Sequence, residues 1–149
     1  MKVPFVDLHG QYISLKNDID RAIATVIAET AFIGGSYVKK FEHEYAAAYG
    51  AKHCIGVANG TDAIYIVLKM LGIGEGDEVI TVANSWISTS ETITQAGATP
   101  VFVDIEPDYY TIDPKKIEEK ITAQTKAVIP VHLYGQPAAM EHIMAICKK

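Results

Sequence analysis

The chain has 149 residues, 49% of them apolar and 21% charged, with a formal net charge of −5. That length supports one domain with a core and is short for two. Twelve lysines and one arginine against eighteen acids, with no basic cluster, lack the electrostatic footprint of a nucleic-acid binder, and no apolar run approaches the roughly 20 residues that span a bilayer.

The start, Met1-Lys2-Val3-Pro4-Phe5-Val6-Asp7, lacks the succession of basic, apolar and small residues that marks a signal peptide. Cys54 and Cys147 lie far apart and form neither a disulfide framework nor a zinc spacing. The expectation is a reduced, cytoplasmic protein.

Leu15, Ile19, Ala22, Ile23, Val26 and Ile27 recur at helical spacing and predict an amphipathic helix over 13–28. Ala31-Phe32-Ile33-Gly34-Gly35 breaks it. Ser36 is a favoured N-cap, and a second helix is expected over 37–49, with Phe41, Tyr45, Ala48 and Tyr49 as its apolar face and Gly50 as its stop. From residue 54 the rhythm changes. The short apolar run 54–58 is a buried-strand candidate. A helix over 61–71 is stopped by Gly72, and a strand over 78–82 follows the turn Gly74-Glu75-Gly76-Asp77. Then come a helix over 87–96 stopped by Gly97 and a strand over 100–103. Asp113-Pro114 reads as an N-cap and N1 proline opening a helix over 115–121; a strand over 127–131 and a helix over 138–148 complete the pattern. Strands starting at 54, 78, 100 and 127 with helices between them predict an α/β fold, a mostly parallel sheet with helices on both faces, in one domain. No strand follows the last helix, so the pattern reads as an interrupted domain. The length also permits a small complete one.

Several reaction classes have no local support. There is no Gly-x-x-x-x-Gly-Lys-Ser/Thr loop, and Gly72, Gly74 and Gly76 lie between a helix and a strand, the reverse of the dinucleotide-binding order. His43-Glu44 opens a zinc-protease pattern, but Ala47 stands where the second histidine would be. No Gly-x-Ser-x-Gly elbow exists.

Two junctions carry chemistry. Asn59-Gly60-Thr61-Asp62 leads from the first expected strand into a helix, at the carboxyl end of a strand where α/β ligands sit. Gly60 lets an anion approach the backbone, the first helical amides are unpaired, and Thr61 adds a hydroxyl, which together make a phosphate cradle. The other reading is an ordinary turn in which Thr61 or Asp62 caps the helix. The next strand leads through Ala83-Asn84-Ser85 to Trp86, the single tryptophan. An indole there can stack on an aromatic ligand or serve as a half-buried packing residue. One site holding Gly60-Thr61 and Trp86 would take a phosphate and a ring together.

The chain resembles the sugar aminotransferases of the pyridoxal-phosphate fold type I superfamily, the group named after DegT, DnrJ, EryC1 and StrS. The resemblance is carried by Val3-Pro4-Phe5-Val6-Asp7-Leu8, Phe32-Ile33-Gly34-Gly35, 53–63, Gly76-Asp77-Glu78-Val79-Ile80, Ala98-Thr99-Pro100-Val101-Phe102-Val103-Asp104 and 130–137. The resemblance implies that Gly60 and Thr61 bind the phosphate of pyridoxal 5′-phosphate and that Trp86 stacks on its pyridine ring. It implies that residues 1–149 are the N-terminal segment and first half of the large cofactor-binding domain. The implied whole protein is a homodimer that moves an amino group from an amino acid, glutamate being the expected donor, to a nucleotide-linked keto sugar. The aspartate that pairs with the pyridine nitrogen and the lysine that holds the cofactor aldehyde are expected beyond Lys149, so the chain alone is expected to be inactive. Lys39, Lys40, Lys115, Lys116, Lys120 and the terminal Lys148-Lys149 read as solvated surface charge. His132 and Gln136 either line the site or belong to a polar loop, Tyr109-Tyr110 reads as packing, and 32–35 is a candidate closing loop. Two alternatives stay open: a sugar dehydratase of the same family, with histidine in place of the lysine, and a non-catalytic truncated fragment with an unpaired sheet edge.

Overall fold

The computed structural model describes residues 3–148, and the chain divides into two compact units, Met1–Gly56 and Val57–Lys149. In the first unit, α1 (Leu8–Ala28) starts five residues before the position the apolar periodicity predicts. The cause is Asp7, whose Oδ1 accepts the Gly10 N–H at 2.8 Å and satisfies one of the donors a helix start leaves open. Helix α2 (Ser36–Ala48) takes Ser36 as its first residue, and Gly35, with φ +89°, occupies the cap position. The Ala51 N–H reaches back to the Ala46 carbonyl at 2.9 Å, across Gly50 at φ +62°, and closes α2. Its aromatic face is present as predicted: Phe41 and Tyr45 lie 5.5 Å apart by ring centroid, and Tyr45 stacks on Tyr49 at 4.6 Å. Ala46 is the one buried side chain of α2, and α1 buries none.

The second unit runs α3 (Gly60–Met70), β1 (Glu78–Val82), α4 (Ser88–Ala96), β2 (Thr99–Val103), α5 (Pro114–Glu118), β3 (Thr125–Val128), a single 3-10 turn at Leu133–Gly135, and α6 (Met140–Ile146). The sheet has three strands in the order β2-β1-β3, all parallel. Strand β1 pairs with β2 in unbroken register from Glu78↔Thr99 to Val82↔Val103. Its pairing with β3 slips between Glu78 and Val79, then resumes at Val79↔Ala127, and the Ile129 N–H extends it to the Ile80 carbonyl at 2.8 Å.

The expected strand over 54–58 does not form. A strand exists only as one side of a ladder, and no strand lies beside 54–58 among the described residues. Ile55 is 78% exposed, and the Gly56 N–H goes to the Glu42 side chain at 2.7 Å instead. A short apolar run does not say whether a ladder partner is present.

Strand β1 is buried on both faces because its alternating side chains enter two cores. Val79 packs with Leu68, Ile73, Ile93, Ala96 and Ala98 beneath α3 and α4. Ile80 and Val82 pack with Val103, Ile112, Ile117, Ile143 and Ile146 on the α5 and α6 side. Local signals set the helix ends. Asp113 Oδ1 accepts the Lys115 N–H at 2.9 Å with Pro114 behind it, as its sequence predicts. Gly97, at φ +95°, ends α4 while the Ala98 N–H returns to the Ile93 carbonyl at 3.1 Å. Among the described residues no helix is long and apolar enough to cross a membrane.

Ile80 is fully buried at the centre of the sheet, so Ile80→Ala is expected to cost about 2–5 kcal/mol. Met70, 80% exposed, is expected to cost less than about 0.5 kcal/mol as Met70→Ala. Urea unfolding of the two variants measures the difference.

Candidate functional site

The sheet topology points to one edge. The helix after β1, α4, packs on one face, and the helix after β3, α6, packs on the other. The connections therefore part at the carboxyl ends of β1 and β3, which is where open α/β sheets bind ligands.

Helix α3 brings its N-terminus to this edge. Asn59, in extended conformation, is the cap: its Oδ1 accepts the Asp62 N–H at 2.9 Å and its carbonyl accepts the Ala63 N–H at 3.1 Å. The cap is neither Thr61 nor Asp62. Asn59 was legible as a strong cap residue, and its place three positions before Asp62 was the available signal. The Gly60 and Thr61 amides, the first two of the helix, have no acceptor among the described residues. A Cβ built on Gly60 meets nothing within 4 Å, so the approach to these amides is open. Asp62 brings a carboxylate into the same turn, and Asn59 Nδ2 holds it on the cap side at 3.3 Å.

Because capping falls to Asn59, the Thr61 hydroxyl is available elsewhere. It lies 2.8 Å from the hydroxyl of Ser88, the buried first residue of α4. This bond ties the starts of α3 and α4 together. Trp86 stands two residues before Ser88, about 7 Å at most along the chain. Its indole is 77% exposed, so it is not the packing residue that an indole commonly is. Its loop is held from two sides. Ser85 Oγ and Thr89 Oγ1 lie 2.9 Å apart, and Asn84 Nδ2 donates to the Tyr110 carbonyl at 3.0 Å. The second bond anchors the loop after β2, where Tyr110 takes the uncommon φ of +60°. Sequence reasoning missed Asn84, Ser85 and Ser88. Polar residues after a strand were a signal for a site edge, but their partners lie 4 to 27 positions away.

Comparisons with known proteins give the chain a family and a fold. Residues 14–149 match the model of the DegT/DnrJ/EryC1/StrS aminotransferase family. The chain belongs to this family. It is 52% identical over 149 residues to the "Pleiotropic regulatory protein" of Geobacillus stearothermophilus, covering 100% of this chain and 40% of that one. It is 46% identical over 147 residues to the UDP-2-acetamido-2-deoxy-3-oxo-D-glucuronate aminotransferase of Pseudomonas aeruginosa, covering 99% and 41%. The crystal structure of S. venezuelae DesV in complex with a ketimine intermediate superposes with a TM-score of 0.94 at 40% identity, covering 99% of this chain and 40% of that one. NtdA from Bacillus subtilis with bound cofactor PMP gives 0.89 at 38%, covering 99% and 34%. The chain spans about 40% of the length of the curated relatives it matches. The structural neighbours are pyridoxal-phosphate-dependent aminotransferases.

Within the DegT/DnrJ/EryC1/StrS fold, the remaining sequence candidates make local contacts. His132 Nδ1 accepts the Ala138 N–H at 3.0 Å, which leaves the ring proton on Nε2 and pins the loop after β3. Gln136 Nε2 reaches only the Pro137 carbonyl, at 3.3 Å. No hydrogen bond joins either to Thr61 or Trp86 among the described residues. Tyr109 and Tyr110 are 62% and 59% exposed, so they do not pack as expected; Glu106 takes up the Tyr109 N–H at 2.8 Å and shapes a surface turn. The lysines on helix faces are surface charge: Lys40 lies 3.8 Å from Glu44. Hydrogen bonds to Glu119 hold the Lys116 ammonium above its usual range, so it stays protonated. Lys149 lies outside the described residues. Among the described residues no group of His, Cys, Asp and Glu could hold a metal ion.

The cap bond at the start of α3 is a stability contribution separate from the chemistry. Asn59→Ala is expected to destabilise the protein by about 1 kcal/mol and Asn59→Ser to restore most of it, read as a shift in the urea midpoint.

Proposed function

We propose that this chain supplies the cofactor-phosphate and ring-stacking half of the active site of a pyridoxal-phosphate-dependent sugar aminotransferase. The observation that carries this reading is the Thr61–Ser88 bond, which brings two open helical amides and an exposed indole to one strand edge. Gly60 and Thr61 hold the phosphate dianion. Their N–H groups point outward, the α3 dipole favours negative charge there, and the open space at Gly60 admits the oxygens. Trp86 presents its face to the pyridine ring and fixes the ring plane. Asn84 and Ser85 hold the Trp86 loop against the turn at Tyr110 and against α4. The Asp62 carboxylate, turned to Asn59, leaves the amide side free. When bound, pyridoxal phosphate supplies the electron sink that lets an amino group pass between two carbon skeletons.

The relative that acts on a UDP-linked oxo-sugar supports a nucleotide-linked keto sugar as the amino acceptor, with an amino acid, glutamate by expectation, as donor. Such a reaction belongs to nucleotide-sugar and polysaccharide biosynthesis, and we place it in the cytoplasm in a homodimer. On the family resemblance, the lysine that receives the cofactor aldehyde and the acid that faces the pyridine nitrogen belong to a part of the protein outside residues 1–149. The 149 residues alone are expected to bind ring and phosphate and to transfer no amino group.

Trp86 is the single tryptophan of the sequence, which makes it a reporter. Titration of pyridoxamine 5′-phosphate into the chain is expected to quench its emission in a saturable way. Trp86→Ala is expected to lower affinity about threefold to tenfold, and Trp86→Phe to retain most of it, followed by calorimetry. Gly60→Ala is expected to keep the unfolding midpoint, since its Cβ meets nothing, and to weaken binding of the phosphate ester. Absence of quenching in the chain, or a Gly60→Ala variant that binds as tightly as before, overturns the reading.

A further inference from the structure

Ser88 is not assigned a role by the phosphate and ring contacts just described, yet it is 7% exposed and its hydroxyl lies 2.8 Å from that of Thr61. Among the described residues it is the only side chain hydrogen-bonded to Thr61. Each hydroxyl has one proton to give and lone pairs to accept with. Two arrangements of the bond are therefore possible, and they differ in what Thr61 can offer a ligand. If Thr61 donates to Ser88, its proton is consumed and its lone pairs face the phosphate, which repels them. If Ser88 donates to Thr61, the Thr61 proton is free to point toward the open amides. A phosphate dianion can only accept, so it selects the second arrangement.

Ser88 opens α4, and its backbone carbonyl accepts from Thr92 Oγ1 at 2.8 Å, which fixes the residue in the first turn. The Ser88 hydroxyl is shielded from water, so its bond to Thr61 is not exchanged for solvent. A donor chain from Ser88 to Thr61 to phosphate also polarises each bond in the same direction.

We infer that Ser88 is a positioning residue for the phosphate cradle, donating its proton to Thr61 Oγ1 and thereby committing the Thr61 proton to the phosphate. This rests on the cofactor reading above. It adds that discrimination for a phosphate ester over the unphosphorylated ring is set partly from α4, by a residue that does not touch the ligand.

The test compares the affinities of pyridoxamine 5′-phosphate and pyridoxamine for the apo protein by calorimetry. Ser88→Ala is expected to weaken the phosphate ester about threefold to tenfold and leave pyridoxamine unchanged. In a Thr61→Ala background Ser88→Ala is expected to add no further loss. Ser88→Thr is expected to restore the preference. Ser88→Cys, a somewhat larger side chain with a much weaker donor, is expected to show the same phosphate-selective loss should the alanine variant not fold. Equal losses for both ligands, or an undiminished loss in the Thr61→Ala background, would show that Ser88 acts through packing and overturn the inference. So would an unchanged preference in Ser88→Ala. If the unsubstituted protein does not prefer the phosphate ester at all, the cradle itself is wrong and the inference falls with it.

Discussion

Four consecutive side chains of β1, Val79, Ile80, Thr81 and Val82, are buried on two opposite faces, and that constraint places every other element of the second unit. A strand buried on both sides needs a helical layer on each, so α3 and α4 cover Val79 while α5 and α6 cover Ile80 and Val82. It also needs a ladder on each side, which β2 and β3 provide. Even the polar member conforms: Thr81, fully buried, places its hydroxyl on the Ile129 carbonyl at 3.1 Å.

The candidate site follows from that packing. Helix α4 leaves β1 on the same face that α3 covers, so the starts of the two helices meet at the carboxyl edge of the strand. Their meeting is recorded in one short hydroxyl pair, Thr61 and Ser88. The loop carrying Trp86 lies just before α4, and Asn84 binds it to the loop after β2. Three connections thus converge on one edge through two side-chain bonds. The proposed ligand, a phosphate ester with a flat ring, would use the open amides and helix dipole for its charge and the exposed indole for its ring. The chain belongs to the DegT/DnrJ/EryC1/StrS family, and named sugar aminotransferases stand among its relatives.

Much of this was legible in the residue order, for local reasons. Strand 78–82 is bounded by a Gly-rich turn before it and polar residues after it, and its limits match the structure. Asp113-Pro114 and Gly97 act within one helical turn, so their effects could be read from neighbours alone. The helix start at Leu8 was missed because the apolar stripe begins later than the cap; Asp7 decides the start, not the stripe. The segment 54–58 failed for the opposite reason. Its composition suits a strand, but a strand is a relation between two segments, and no ladder partner lies beside it among the described residues.

Taken alone, the sequence determined the alternation of helices and strands, the parallel α/β class, and the residue types at the Gly60–Thr61 and Trp86 junctions, because propensity, capping and turn chemistry act over a few residues. Tertiary structure decided which hydroxyl meets Thr61, that Trp86 faces solvent, and that His132 holds its own loop. These depend on contacts between elements far apart in the chain, whose distances are set by the burial of β1 and not by any spacing that can be counted along the sequence.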